Sequence, residues 1–139
     1  MRGVLNGLVA ETARTTIVDL EAGLEHLSRG TARHVDTLLI VGEPYFKSLE
    51  TASRSFALAR DLGIRRIGMV ANKVRTPRDE AAVREFADRH GLVVEGVVPF
   101  DDAVQAADEH GAALIDYRPA APSVAAIRRL ADGVLAAGR

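Results

Sequence analysis

The sequence predicts an α/β fold, with a mainly parallel sheet of about four strands and helices on both faces. Short apolar, β-branched runs alternate with longer segments whose apolar residues recur at helical spacing. Strands separated by helix-length segments can pair in parallel, because the helix carries the chain back across the sheet. A polar or turn cluster follows each run, as is typical of the carboxyl edge of such a sheet. We therefore expect a single α/β domain over residues 1–139.

The composition is that of a globular chain and excludes several classes of function. Apolar residues make up 47% and charged residues 27%, and the formal charge of −1 gives no electrostatic reason to expect nucleic-acid binding. Cysteine is absent, which excludes disulfides and thiolate metal sites and is compatible with the cytoplasm, where we expect the protein to act. No apolar run approaches the ~20 residues of a membrane span, so no membrane association is expected.

The first third of the chain carries two predicted strands and two predicted helical segments. Residues 2–11 have a helical apolar stripe, and the β-branched run Thr15–Val18 predicts the first strand. A short helix is predicted over Leu24–Ser28. Leu38–Val41 is a continuous apolar run and predicts a strand that is buried on both faces.

The middle of the chain repeats this alternation. Ser48 is the predicted N-cap of a long helix, and Gly63 is its predicted end. Ile67–Ala71 predicts the third strand. Thr76-Pro77 then opens a helix that ends at His90-Gly91.

The last third contains one strand and two helices. Leu92–Val98 predicts the fourth strand, and Asp101 or Asp102 caps a short helix that follows it. Pro122-Ser123 opens the final helix. Its predicted buried stripe consists of Ile127, Leu130, Ala131, Val134 and Leu135.

Parallel strands bring the four polar clusters to one edge of the predicted sheet, which favours a binding edge there. The clusters are Asp19-Leu20-Glu21, Glu43-Pro44, Asn72-Lys73 and Pro99-Phe100-Asp101-Asp102. An acidic residue such as Asp19 can hold Mg²⁺ at this edge, directly or through water. Gly23, just beyond it, lets the backbone approach a phosphate closely. The alternative is that Asp19 begins an ordinary turn, in which Asp is common.

The segment from Asp19 to Thr31 resembles the switch segment of the MinD/ParA group of P-loop ATPases. It matches every fixed position of Asp-x-Glu-Ala-Gly-x-Glu-His-x-x-Arg-Gly-Thr, the pattern of the CooC-type nickel-insertion ATPases. The resemblance implies an ATP- or GTP-binding protein with ATP and Mg²⁺ as the family's cofactors; the alternative is that this chain alone binds no cofactor. It also implies a catalytic set of Asp19, Glu21 and Gly23, in which Asp19 is the Mg²⁺-associated carboxylate and the N–H of Gly23 faces the γ-phosphate.

Two later segments resemble the base-binding parts of the same family. Asn72-Lys73 resembles the Asn-Lys that ends a strand there, where the amide reads the nucleotide base. An amide has both a donor and an acceptor, which suits an adenine edge. Pro99, Phe100 and Asp101 resemble the later loop around the base. The alternative for Asn72 is a simple capping role in the turn after the strand.

The family's phosphate-binding loop, Lys-Gly-Gly-x-Gly-Lys-Thr, does not occur in the sequence, nor does any Gly-x-x-x-x-Gly-Lys-[Ser/Thr]. The chain thus resembles the C-terminal half of such an ATPase, and we expect no ATP hydrolysis by this chain alone. The expected partners are a second copy of the chain, an N-terminal half or a client metalloenzyme. The alternative function is a non-catalytic α/β interaction module derived from such an ATPase.

The resemblance also bears on how the sheet is assembled. In the family, the strand of the phosphate loop lies between the strand that precedes the switch and the next strand along the chain. Without it, Thr15–Val18 and Leu38–Val41 would each have an unpaired edge, which is costly when buried. We expect these two strands to pair directly, and the chain to form a homodimer.

Overall fold

The computed structural model describes residues 15–20 and 35–137. In this part of the chain, three parallel strands form one sheet in the order β1-β2-β3. They are β1 (Thr37–Gly42), β2 (Arg66–Val74) and β3 (Val93–Pro99). The α/β class, the parallel sheet and the last three predicted strands are therefore confirmed.

The described sheet has three strands, not the four predicted, because Thr15–Leu20 adopts no regular secondary structure. Ile17 is 90% exposed and Val18 is 42% exposed. A parallel strand is stabilised by burial on both faces, and this run has neither face covered. The predicted first strand and its direct pairing with β1 are both wrong. The helices predicted over 2–11 and Leu24–Ser28 lie outside the described residues.

The described part of the chain has five helices, one between β1 and β2, one between β2 and β3, and three after β3. They are α1 (Phe46–Asp61), α2 (Pro77–His90), α3 (Asp102–Glu109), α4 (Leu114–Tyr117) and α5 (Pro122–Ala137). The short α4 was not predicted, and the other four agree with the sequence pattern. None of these helices is long and apolar enough to cross a membrane.

The predicted N-cap of α1 is wrong. The helix begins at Phe46, and its N-cap residue, Tyr45, makes no side-chain capping bond. Ser48 lies inside the first turn, where its Oγ accepts a hydrogen bond from the backbone N–H of Glu43 at 2.9 Å. The hydroxyl therefore fixes the end of β1 instead of the start of the helix.

The predicted helix ends at Gly63 and Gly91 are confirmed. Both glycines have left-handed backbones, with φ of 80° and 69°. The N–H of the residue after each glycine donates to a carbonyl in the last helical turn, at Ala59 and Ala87. This pattern satisfies carbonyls that would otherwise lack partners, and it requires a backbone that glycine adopts without strain.

Helices cover both faces of the sheet, as predicted. On one face, α1 and α2 pack Leu49, Ala52 and Val83 against Ile40 and Met69 of the strands. On the other face, α5 packs Ala126 and Leu130 against Val70 and Val98. Removal of these apolar side chains from water is the main source of the fold's stability.

The buried face of α5 differs from the predicted stripe. Ser123, Val124 and Ala126 are buried, whereas Ile127 is 51% and Leu135 is 45% exposed. Leu130 belongs to both the predicted stripe and the observed contact face, and it lies close to β3, since a Cβ on Gly96 would be only 3.1 Å from a Leu130 methyl carbon. The buried face is therefore rotated from the predicted stripe towards Ser123 and Ala126, and Leu130 is common to both.

Candidate functional site

The carboxyl edge of the sheet is uneven because β2 extends beyond β1. The pairing of β1 with β2 ends at Gly42 and Ala71, so Asn72, Lys73 and Val74 continue past it. On the other side, Val74 pairs with Pro99 at the end of β3. The predicted segments Asn72-Lys73 and Pro99–Asp101 therefore lie at one edge.

The backbone of β2 is irregular at this edge. The pairing with β3 shifts between Ala71 and Val74, and Lys73 has a φ of 55°. Lys73 is the one non-glycine residue with positive φ in the described part of the chain. Such a backbone costs of order 1–3 kcal/mol and occurs preferentially at functional sites.

An ion pair accompanies the strained residue. The Nζ of Lys73 lies 2.9 Å from Oε1 of Glu43, the residue that follows β1. Glu43 is itself fixed through its backbone N–H by Ser48. The ion pair is half-exposed, so its net contribution to stability is small, but it ties the ends of β1 and β2 together.

The loop after β3 is bonded directly to the end of β2. The backbone N–H of Phe100 donates to the carbonyl of Val74 at 2.9 Å. The guanidinium carbon of Arg75 lies 3.4 Å from the centre of the Phe100 ring, which is a close cation–π stack. Arg75 was not among the predicted site residues, and its position two residues after Asn72-Lys73 is the signal that could have found it.

Both carboxylate oxygens of Asp101 accept hydrogen bonds from other residues of the fold. Oδ1 accepts a hydrogen bond from the N–H of Ala103, so Asp101 is the N-cap of α3. Oδ2 accepts from both the N–H and the hydroxyl of Ser123, at 3.2 and 2.8 Å. The Ser123 hydroxyl is the largest cause of a lowered pKa at Asp101, and burial acts in the opposite direction. One ionised carboxylate thus joins the loop to the first turn of α5.

Asn72 and Asp19 have different surroundings. Asn72 is half-buried, and its side-chain amide makes no hydrogen bond within residues 35–137. Asp19 is exposed, and no hydrogen bond or ion pair among the described residues joins it to the strand ends. The other two members of the predicted catalytic set, Glu21 and Gly23, lie outside the described residues.

The described residues form no metal-binding cluster, and some of those at this edge carry groups that suit a nucleotide base. Residues 15–20 and 35–137 contain no group of three or more His, Cys, Asp or Glu side chains that could hold a metal. Asp19 alone would be one carboxylate of a Mg²⁺ site, in which phosphates and water supply the other ligands. The Asn72 amide, which has no hydrogen-bond partner within residues 35–137, and the Phe100–Arg75 stack instead offer the hydrogen-bonding and stacking groups that a base requires.

Comparison with known proteins finds relatives that share more than 40% of aligned residues with this chain. No protein-family model matches the sequence. The chain is 42% identical over 120 residues to the carbon monoxide dehydrogenase accessory protein CooC of Rhodospirillum rubrum. The aligned segment covers 86% of this chain and 45% of that protein. It is 43% identical over 104 residues to an uncharacterized ATP-binding protein of Methanocaldococcus jannaschii. That alignment covers 75% of this chain and 40% of the archaeal protein. The chain therefore spans less than half the length of these relatives.

Solved structures support the same fold. The cell division protein MinD of Aquifex aeolicus superposes with a TM-score of 0.68 at 19% identity, covering 82% of this chain and 50% of that one. A ParA family ATPase of Chlorobium tepidum superposes with a TM-score of 0.63 at 23% identity, covering 78% and 45%. The MinD of Pyrococcus horikoshii, complexed with Mg-ADP, gives a TM-score of 0.60 at 22% identity, covering 76% and 43%.

Proposed function

The chain is a homologue of CooC and of the MinD/ParA group of ATPases, and we propose that it forms the base-binding side of an ATP site. The residues proposed to form this side of the site, by direct contact or by positioning, are Asn72, Lys73, Pro99, Phe100 and Asp101. The observation that carries the proposal is the hydrogen bond from the N–H of Phe100 to the carbonyl of Val74. It holds the loop after β3 against the end of β2, so two segments that resemble base-binding segments of the family converge.

The contributions of the five residues differ. The Asn72 amide has no partner within residues 35–137 and can meet the hydrogen-bonding edge of a base, and Phe100 belongs to the loop around the base, where its ring lies against Arg75. Asp101 positions the loop through Ala103 and Ser123. The ion pair of Lys73 with Glu43 holds the end of β2 near the end of β1. Pro99 is the last residue of β3.

The phosphate side of the site is proposed from the switch segment. Asp19 would hold Mg²⁺ through its carboxylate, and the N–H of Gly23 would face the γ-phosphate, with Glu21 in the same segment. Mg²⁺, when bound, neutralises charge on the phosphate oxygens. A P-loop enzyme also needs a lysine-bearing phosphate loop, which the 139 residues lack.

Calorimetry with adenosine and with ATP tests the proposal. We expect both ligands to bind weakly and with similar affinity, because the contacts are to the base. Asn72→Ala should weaken both about fivefold, the effect of one hydrogen bond. Gln105→Ala removes an exposed amide from α3 and serves as the control. Much tighter binding of ATP, through its phosphates, would contradict the proposal.

An assay of phosphate release tests the proposed lack of hydrolysis by this chain alone. Loss of positioned charge around the transition state costs orders of magnitude in rate, so we expect no turnover with Mg-ATP. Turnover that Asp19→Ala abolishes would contradict this expectation.

We further propose that the chain acts with partners in the cytoplasm, where ATP is available. The proposed partners are a second copy, a segment that carries the phosphate loop, or a client metalloenzyme. Relatives offer two parallels: CooC is a carbon monoxide dehydrogenase accessory protein, and the MinD of Aquifex aeolicus has been solved in a complex with MinC.

A second candidate is a non-catalytic interaction module. Tyr45 and Phe46, at the carboxyl end of β1, are 54% and 77% exposed, which is typical of surfaces that contact other proteins. This candidate predicts that neither adenosine nor ATP binds, so the same calorimetry distinguishes the two functions.

A further inference from the structure

We infer that Arg75 is a specificity residue of this site, and that the outer face of its guanidinium is the platform on which a purine base stacks. The inference rests on the proposed base-binding function and adds a residue to it. Arg75 lies between the end of β2 and the start of α2.

The stack of Arg75 on Phe100 is close. Its guanidinium carbon is 3.4 Å from the ring centre, which is the separation of two planar groups in contact. The other arginine–aromatic pair in the described part of the chain, Arg60 over Phe56, is much looser at 5.7 Å. Phe100 is half-buried and Arg75 is exposed, so the ring lies beneath an arginine side chain that is accessible to solvent.

The backbone on both sides of this stack is anchored. The carbonyl of Val74 accepts the N–H of Phe100. The N–H of Arg75 donates to Oδ2 of Asp79 at 3.2 Å, and the same oxygen accepts the N–H of Thr76 at 2.9 Å. Because the backbone that carries Arg75 and Phe100 is already fixed, less conformational freedom is lost when a ligand binds to their side chains.

The charge of Arg75 is not used in an ion pair within residues 35–137, whereas Arg54, Arg66 and Arg84 each have a carboxylate partner there. A guanidinium is planar and weakly hydrated, so it can stack on an aromatic ring with one face and on a base with the other. A lysine ammonium has no plane and cannot do this. The Phe100–Arg75 pair therefore favours a flat heteroaromatic ligand, and a purine, with its two rings, overlaps it more than a pyrimidine does.

The variant Arg75→Lys tests the inference, because it keeps the charge and removes the plane. Calorimetry with adenosine, cytidine and ATP measures affinity. We expect Arg75→Lys to weaken adenosine and ATP alike by about tenfold, within the range known for base stacking on side chains. We also expect the preference for adenosine over cytidine to shrink. Arg78→Lys, at another exposed arginine in the first turn of α2, is the matched control and should bind as the wild type does.

The variant Phe100→Leu provides a second test, since it removes the ring under the guanidinium and leaves Arg75 in place. It should weaken adenosine binding to a similar extent, and thermal unfolding verifies that both variants are folded. If Arg75→Lys binds adenosine as tightly as the wild type does, the inference is wrong while the proposed function stands. A loss confined to ATP also overturns it, because Arg75 would then contact phosphate. A wild-type chain that binds none of the ligands overturns both proposals.

Discussion

Two single residues, Asp101 and Ser123, join the candidate site to the rest of the fold. Ser123 is buried, 2% exposed, and both its N–H and its hydroxyl donate to the Asp101 carboxylate. Hydrogen bonds to an ionised acceptor are stronger than those to a neutral one. The pair therefore couples the ionisation of Asp101 to the stability of the fold.

We expect this coupling to appear as a pH dependence. The pKa of Asp101 is lowered from 3.8, with the Ser123 hydroxyl as the largest cause. A lowered pKa in the folded state means that the stabilisation is complete above about pH 4 and is lost as the pH falls through the folded value. Urea unfolding between pH 6 and pH 2 measures it. Ser123→Ala should flatten the dependence in this acidic range, and Ser55→Ala, whose hydroxyl donates within α1, should not.

Gly68 provides a second prediction for a single residue. A Cβ on Gly68 would lie 2.3 Å from Cγ of Glu95, whose carboxylate pairs with Arg66. We expect Gly68→Ala to lower the free energy of unfolding by about 1–3 kcal/mol, the typical cost of overpacking. Gly133→Ala, in α5, where the new Cβ would meet nothing beyond its own helical turn within 4 Å, should instead stabilise the chain by about 0.5–1 kcal/mol. Chemical denaturation compares the two, and equal effects would contradict the proposed clash.

Sequence reasoning identified Asp101 and Phe100 but not their partners. A cap or a strand end depends on neighbouring residues, so its signal is local. The bond between Asp101 and Ser123 joins residues 22 apart, and the stack of Arg75 on Phe100 joins two loops. No local pattern encodes either contact, because each depends on how strands and helices pack.

Helix α2 is the element whose start the sequence predicted most fully. Thr76 accepts the N–H of Asp79 at 3.1 Å, and the Asp79 carboxylate accepts the N–H of Thr76 in return. This reciprocal pair satisfies two backbone donors that the helix would otherwise leave without partners. We expect Thr76→Ala to lower the free energy of unfolding by about 1 kcal/mol, measured by thermal or urea unfolding.

Thr51→Ala is the matched control for this prediction. The Thr51 hydroxyl donates to a carbonyl inside α1 and caps nothing, so its loss should have little effect. Equal losses at the two threonines would contradict a capping role for Thr76.

The elements that failed prediction have a common cause. Thr15–Val18 has the composition of a strand, but a strand forms only where it gains a partner and burial. The stripe of α5 satisfies helical periodicity, yet the face that is buried is set by contacts with the sheet, where Ala126 packs against Val70 and Val98. By contrast, the glycine ends of α1 and α2 depend on local backbone geometry, and the sequence located both.

The molecule as a whole presents apolar surface beside its candidate site. Val41 of β1 is 61% exposed, and in the described part of the chain β1 pairs on one side, with β2. Exposed apolar strands at the edge of a sheet promote association. These features support the proposed homodimer and give it a specific surface.

Light scattering coupled to size exclusion measures the oligomeric state. We expect a mass of twice 14.9 kDa for the wild-type chain and a shift toward monomer for Val41→Lys, because a charge at the contact resists burial. Val93→Lys is the matched control, since Val93 is also 61% exposed but lies on β3, at the opposite side of the sheet. A wild-type monomer at all concentrations would overturn the homodimer, and equal effects of the two variants would overturn the assignment to β1.

The strand order has a kinetic consequence. Each described strand pairs with the next along the chain, and the ion pairs of Glu43 with Lys73 and of Arg66 with Glu95 join residues that are 30 and 29 positions apart. Loop-closure entropy grows slowly with length, so the two strand–helix–strand units have nearly the same cost of closure. Both units contain β2, so neither can form until β2 is in place. We therefore expect the folding transition state to be centred on β2, with β1 and β3 added from either side at comparable rates.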